Sequence, residues 1–545
     1  MRSTRRARGA GTAAARRMFA LHAHSERTGV PAPELAADLA QQRRRRQALH
    51  TRREAIAGAG ALAAGALAAH PAAGLARALR RRGAQPRIAI VGAGLAGLRC
   101  AHVLYTATAH APLACTVYEA NGERAGGRCW TLRGFFAGGL ITEHGGQLIN
   151  TGQTAVRNLA AQLGLREEVV NGGNLPEGDE AFFIDGALYA LAEADADWQA
   201  FGYAAFKAAG HEARREDGRA RLDAMSVPEW LDSTPIGAHS RFGKLMQANA
   251  VTENGGDPSD QSALDLIELL TGNPRSSVVP LGGDDERYHV LGGNDQLVSG
   301  MIAQLPPQAV QYEHALVALR AGSDETVTLV FDVGGATVEA VADRVVLALP
   351  FSTLREVDLS ASGLSPAKLG VIETMGMGTN AKVHLELTRK SWPALGYSGA
   401  IYGEWQRLAC GWDDCVPLGP DAAPALYVAF PGGRAGLAKL TGAAHGPAPR
   451  RDAAWALREI DHLFPGTSAL FTGRAYEDHW ALDPWVRGAY SYYRVGQAAG
   501  YQQLAQAPDG PYLFAGEHTS VEIGFLDGAV ETGEAAAKKL QRRFG

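Results

Sequence analysis

Pro86-Arg87-Ile88-Ala89-Ile90-Val91-Gly92-Ala93-Gly94-Leu95-Ala96-Gly97 is the stretch from which the fold is read. Pro86 to Val91 is a short, largely β-branched run and predicts a buried strand. It leads into glycines at 92, 94 and 97, the G-x-G-x-x-G spacing, after which Leu98, Val103 and Leu104 fit a helix. Gly92 permits the tight turn, Gly94 lets the backbone approach a pyrophosphate, and Gly97 lets helix and strand pack closely. Leu95 and Ala96 belong to the same loop. The helix start then offers free N–H groups and a positive dipole end to phosphates. A second strand is expected at Cys115 to Tyr118. It ends in Glu119, 22 residues beyond Gly97, where a carboxylate can accept hydrogen bonds from ribose hydroxyls.

This unit alone serves either FAD or NAD. Segments later in the chain separate the two. Glu119-Ala120 through Gly126-Gly127-Arg128 resembles the E-A-x-x-x-x-G-G-R segment of flavin amine oxidases, and residues 141–147, with Gly145, Gly146 and Gln147, resemble that family's next flavin-side turn. The resemblance implies that Arg128 contacts the FAD phosphate region and that the glycines pass close to the cofactor. At the far end, Pro511 to Ala515 predicts another short buried strand. It leads to Gly516-Glu517-His518-Thr519 and then Gly524-Phe525-Leu526-Asp527-Gly528-Ala529-Val530, similar to the family's closing motif. Glu517 is thereby implied to bind the ribityl chain. The helix that starts near Leu526 would point at the flavin pyrimidine end, where a reduced flavin carries negative charge. Leu291 to Leu297 and Val345 to Pro350 resemble two middle segments of the family, and the resemblance implies that backbone beside the strand preceding the latter, at Leu316, holds the adenine.

The implied architecture is α/β. A Rossmann-type FAD-binding domain of glutathione-reductase-like topology would comprise residues 86–165, 286–371 and 483–545. An inserted α+β substrate-binding domain would comprise 166–285 and 372–482. At 545 residues the chain is long enough for two domains.

Three side chains are expected at the reacting face by resemblance. Lys382 matches the family lysine that holds a water against flavin N5, with a role in water positioning or oxygen activation. Tyr490 and Phe525 match the two rings that flank the substrate amine, excluding water and guiding the amine by their negative faces. Ala489 stands where monoamine oxidases carry the cysteine that bonds the flavin, so FAD is expected to be noncovalent. Leu148 stands roughly where some L-amino-acid oxidases place an arginine for the substrate carboxylate. His144 is unusual in its turn and is read either as a flavin neighbour or as a structural histidine. Trp480 matches a family aromatic and is read as packing.

A formal net charge of −4 with 20% charged residues gives no reason to expect a nucleic-acid partner. The five cysteines show no paired metal-ligand spacing, so no metal site is expected. Cys410 and Cys415 could bridge in an oxidising compartment or stand as two thiols. Residues 1–85 are rich in Ala and Arg. Arg52-Arg53, a mild apolar stretch from Ala55 to Ala69 and Ala76-Arg77-Ala78 read as a Tat-type signal, implying export to the periplasm or beyond; a basic arm on a cytoplasmic protein is the alternative. The stretch is too short and mild to span a membrane.

The function expected is FAD-dependent amine oxidation, with hydride transfer to flavin N5 and reoxidation by O2 to H2O2. An L-amino-acid oxidase, or a same-fold oxidase or desaturase of a non-amine, is the alternative within the fold. A noncatalytic flavin- or NAD-binding protein is the alternative outside it. Amine and O2 are the expected small-molecule partners, and a homodimer is compatible with this reading.

Overall fold

The computed structural model describes residues 85–106, 111–171, 178–280, 282 and 284–544. Their helices and strands lie in one compact unit, Gln85–Asn273 together with Val279 onward. Pro274–Val278 carry no helix or strand. The twin arginine and the apolar stretch after it lie outside the described residues. No helix among the described residues is long and apolar enough to cross a membrane.

The expected first strand is Ile88–Val91, buried at all four positions. It is the middle strand of a five-stranded parallel sheet. The order across the sheet is Tyr512–Phe514, Arg344–Leu347, Ile88–Val91, Cys115–Tyr118, Val310–Gln311. Burial on both faces explains why these strands read as apolar runs and not as alternating patterns. Val91 pairs with Leu347 on one side and Tyr118 on the other, so three strands end level with one another. Ligands of open parallel sheets bind beyond such strand ends.

Helix Leu95–Thr106 starts two residues before Gly97, so the third glycine lies inside the helix and not in the turn. A Cβ on Gly97 would stand 2.0 Å from the carbonyl oxygen of Gly92, which explains the requirement for glycine there. Gly92 itself has φ +99°, a conformation that side chains disfavour. The C-terminal helix, Leu526–Phe544, packs across the first helix. Leu98, Val103, Leu104, Val530, Ala537 and Leu540 share one buried cluster there.

A second large sheet has eight strands. Its order is His445–Pro447, Phe471–Asp478, Lys382–Leu387, Ala425–Phe430, Cys410–Asp413, Tyr397–Gly403, Asp179–Ile184, Ala187–Tyr189. Only Tyr397–Gly403 with Asp179–Ile184 is a parallel pair in this sheet. Lys382–Leu387 is buried along its whole length. Helices Arg241–Asn254 and Ala263–Leu270 supply further wall to the site, each capped by a serine hydroxyl that accepts from a first-turn N–H. The sheets bring residues from both ends and the middle of the chain to one cavity.

Candidate active site

A cavity of about 950 Å³ runs from the glycine loop to the strand that begins at Lys382. Its wall contains Gly92, Gly94, Leu95, Ala96, Glu119, Ala120, Gly127, Arg128, Gly145, Gly146, Gln147, Leu316, Lys382, Tyr490, Gly516, Glu517, Phe525 and Leu526. Gly97, expected with them, is not in the wall. Its task is the packing contact with Gly92.

At the sheet end, Glu119 Oε2 accepts from the backbone N–H of Ala93 at 2.7 Å and Oε1 accepts from that of Asn121 at 2.9 Å. Burial pushes the Glu119 carboxyl above its usual value, and these two donors oppose that. The carboxylate thus holds the glycine loop in shape. Gly126 N–H donates to Ala93 O, which ties the second glycine pair to the first loop. A Cβ added to Gly94 would meet no atom within 4 Å, so open space lies over the middle glycine. A cavity of this size beside bare backbone, with a buried acid next to it, fits an extended dinucleotide such as FAD.

Arg128 Nη1 donates to Glu517 Oε1 and to Ala489 O, both at 2.8 Å. Glu517 also accepts from Ser491 Oγ at 3.1 Å and from the Gly524 N–H at 2.9 Å. Burial pushes the Glu517 carboxyl up, but Arg128 and its other partners outweigh burial and the net value falls below the usual carboxylate range. Both residues are therefore engaged with each other and with the chain. Ala489 is 7% exposed and presents a methyl group to the cavity.

Lys382 is 5% exposed. Its ammonium donates to Glu143 O at 2.8 Å, Gly145 O at 2.9 Å and Gln147 Oε1 at 2.8 Å. An ammonium has three donors, so this lysine clamps the 143–147 turn with all of them. Burial lowers its pKa, against the pull of Asp414 and Glu143. Tyr490 is half-buried, and its hydroxyl donates to Thr252 O and accepts from Asn380 Nδ2. Gly524 lies against the Tyr490 ring, where a Cβ would stand 3.7 Å from Cδ2, and the adjoining Phe525 also lines the cavity.

Sequence reasoning missed two features. One is an acidic wall of Glu253, Asp284 and Glu286 near Tyr402. Burial pushes Glu286 up to about 8, reinforced by Asp284 and Glu180, and Glu253 is raised well above the usual range. The run Asp284-Asp285-Glu286 was the visible signal. The other is a buried cluster behind the turn. His144 Nδ1 and His445 Nδ1 each lie 2.7 Å from Asp478 Oδ1, and His384 Nε2 lies 3.0 Å from Oδ2. Burial would raise the Asp478 carboxyl, but the three imidazoles hold it far below the usual range. His144 stacks on Trp130 with ring centroids 3.5 Å apart, and Trp480 Nε1 donates to His144 O. His144 and Trp480 both line the cavity. The ligand-type atoms of His144, His445 and Asp478 lie within 4.8 Å of one another, and all of them are committed to these contacts.

Cys410 and Cys415 are free, buried thiols, so the bridge left open by the sequence is not formed. Cys415 Sγ instead accepts from the backbone N–H of Leu426.

The family model described as flavin containing amine oxidoreductase matches residues 95–541. The chain is 28% identical to the human peroxisomal N(1)-acetyl-spermine/spermidine oxidase over 489 residues, covering 80% of this chain and 90% of that protein. It is 26% identical to a nicotine dehydrogenase of Pseudomonas putida over 269 residues, and spans about half of that relative, 48%. Its fold is similar to that of the cyclohexylamine oxidase of Brevibacterium oxydans IH-35A, with a TM-score of 0.69 and 20% identity, covering 84% of this chain and 99% of that one.

Proposed function

Because the chain belongs to the flavin-containing amine oxidoreductases, we propose that it is an FAD-dependent oxidase of a cationic amine. The observation that carries the reading is one cavity joining the glycine loop, the Lys382 clamp and an acidic wall. FAD, when bound, accepts two electrons from the C–H bond beside the amine nitrogen, and its reoxidation by O2 gives H2O2.

The chain's own residues divide the work. The backbone at Gly92 and Gly94 and the helix start at Leu95 receive the pyrophosphate, with Glu119 at the ribose. The parallel-sheet segments, residues 86–165, 286–371 and 483–545, form the FAD-binding domain. Residues 166–285 and 372–482 form the inserted substrate domain. Ala489 offers no sulfur at the family's attachment position, which supports noncovalent binding. Lys382 keeps a fixed positive charge on the 143–147 turn. Tyr490 and Phe525 supply aromatic surface that excludes water and favours an amine. Asp284 draws the amine toward this wall as an ammonium ion, Glu286 adds its charge as pH rises through about 8, and burial there favours loss of the ammonium proton. Leu148, also in the wall, offers nothing to a substrate carboxylate, which supports an amine over an amino acid. Export through the Tat pathway is proposed on Arg52-Arg53, and O2 and an amine are the proposed partners.

Purified protein tests this directly. FAD should be released on denaturation, and a panel of monoamines, diamines and L-amino acids should give peroxide with the amines. Peroxide from amino acids alone would reverse the substrate reading.

A further inference from the structure

Asp414 follows the strand Cys410–Asp413 and reaches the site through a single side chain. Gln147 Nε2 donates to Asp414 Oδ1, while Gln147 Oε1 accepts from Lys382 Nζ at 2.8 Å. The second oxygen of Asp414 is buried with no hydrogen-bond partner among the described residues. The adjoining Asp413 has its own cation, Lys390, at 2.7 Å. No ion pair of Asp414 occurs among the described residues.

An amide between a carboxylate and an ammonium has one favourable orientation. Turned over, it would set oxygen against carboxylate and N–H against ammonium. The carboxylate therefore fixes which end of Gln147 faces the lysine. Resting on the reading of Lys382 as the flavin-facing lysine, we propose that Asp414 is a positioning residue that acts through Gln147 to hold Lys382 as an oriented ammonium at the flavin.

The other charges around Lys382 are committed elsewhere. Glu143 accepts from Thr131, from the Asn294 N–H and from His289, the last at 2.8 Å. Asp478 is bound by three imidazoles. Glu286, at about 8, is mostly protonated at neutral pH. The Trp412 ring lies 5.6 Å from Nζ and contributes only its face. Burial opposes the charge on Lys382, and Asp414 is the leading charge in its favour.

The test uses the holoenzyme and reads the midpoint potential of bound FAD against pH, alongside reoxidation of photoreduced enzyme. A protonated lysine near the flavin stabilises the reduced form, so its ionisation appears as an inflection. Lys382→Met should abolish that inflection. Its persistence would overturn both the lysine reading and this proposal. With the lysine established, Asp414→Asn should move the inflection to lower pH by about one unit, the size expected for losing a nearby opposite charge. The alkaline limb of the reoxidation rate should move with it. Asp414→Glu should restore it. If Asp414→Asn fails to hold FAD, Gln147→Met, which removes the bridge and its acceptor but not the Asp414 charge, should still move the inflection downward. An inflection unmoved in Asp414→Asn or Gln147→Met, or moved equally in Asp414→Glu, would overturn the proposal.

Discussion

Arg128 and Glu517 stand 389 residues apart in the chain and meet at 2.8 Å in the cavity wall. One belongs to the second glycine segment and the other to the motif before the last helix. Their ion pair ties the two ends of the fold across the site.

Glu517→Gln should therefore lower stability in a pH-dependent way. The folded carboxyl sits below its ordinary value of 4.5, so its contribution is complete above that pH and is lost as pH falls through the folded value. At pH 7 the variant should lose about 3 kcal/mol, the lower range for breaking a buried pair, because Arg128 keeps some solvent contact. Denaturant unfolding from pH 7 down to pH 3 should show the gap to wild type narrowing below about pH 4.5. A constant gap would mean that packing, not charge, carries the effect.

Glu119→Gln should weaken FAD binding. The amide keeps one acceptor for the Ala93 and Asn121 N–H groups but loses the charge. A lost charge-assisted hydrogen bond is worth about 1.5–3 kcal/mol, roughly 10- to 150-fold in Kd. Titration of the apoprotein with FAD measures this. An unchanged Kd would remove Glu119 from the ribose and leave it only as a brace for the glycine loop.

The cofactor half of this site is legible in the sequence because its physics is local. A strand, a glycine loop and a helix start follow one another along the chain, and backbone requirements such as Gly97 against Gly92 leave a residue-level mark. The helix boundary around Gly97 is less legible, because a glycine reads as a turn until its packing partner is known. The Asp478 cluster is not legible. Its members, His144, His384 and His445, lie on three separated segments; pairing of Phe471–Asp478 with Lys382–Leu387 and His445–Pro447 brings His384 and His445 to Asp478, and His144 arrives from the turn after Thr142–Glu143. The acidic wall is half-legible: Asp284 and Glu286 stand in a charged run, but nothing local distinguishes a solvated run from one facing a cavity.

Glu286→Gln should raise KM for a cationic amine and flatten its pH dependence. With the carboxyl pushed up to about 8, Glu286 becomes anionic only as pH rises through that value, so wild-type KM should fall across this range. The amine's own ionisation acts in both proteins, so the wild-type-to-variant ratio isolates the residue. The same sign applies to stability. A carboxyl raised in the folded state destabilises the fold once pH exceeds its unfolded value, so the variant should be the more stable protein at about pH 9. A KM ratio independent of pH would place Glu286 away from the substrate.

Lys382→Met should slow the reaction of reduced flavin with O2 far more than it slows reduction by the amine. Electron transfer to oxygen builds negative charge beside the flavin, and a fixed ammonium in a water-poor wall stabilises it. Reduction leaves a cationic product and an anionic flavin, which a single positive charge cannot favour together. Removing such a group typically costs about 10²–10³ in rate. Methionine also releases the Glu143, Gly145 and Gln147 oxygens from the clamp, so some loss of stability is expected with it. Tyr490→Ala should do the opposite. It removes the ring that aligns the amine, and a displacement of about 1 Å can cost 10²-fold in the reductive step. Tyr490→Phe keeps the ring and leaves the Thr252 carbonyl and Asn380 amide without the hydroxyl, so it separates alignment from hydrogen bonding. Anaerobic stopped-flow reduction followed by mixing with O2 resolves the two halves. Intact reoxidation in Lys382→Met would end the lysine assignment, and intact reduction in Tyr490→Ala with every amine would reduce that ring to packing.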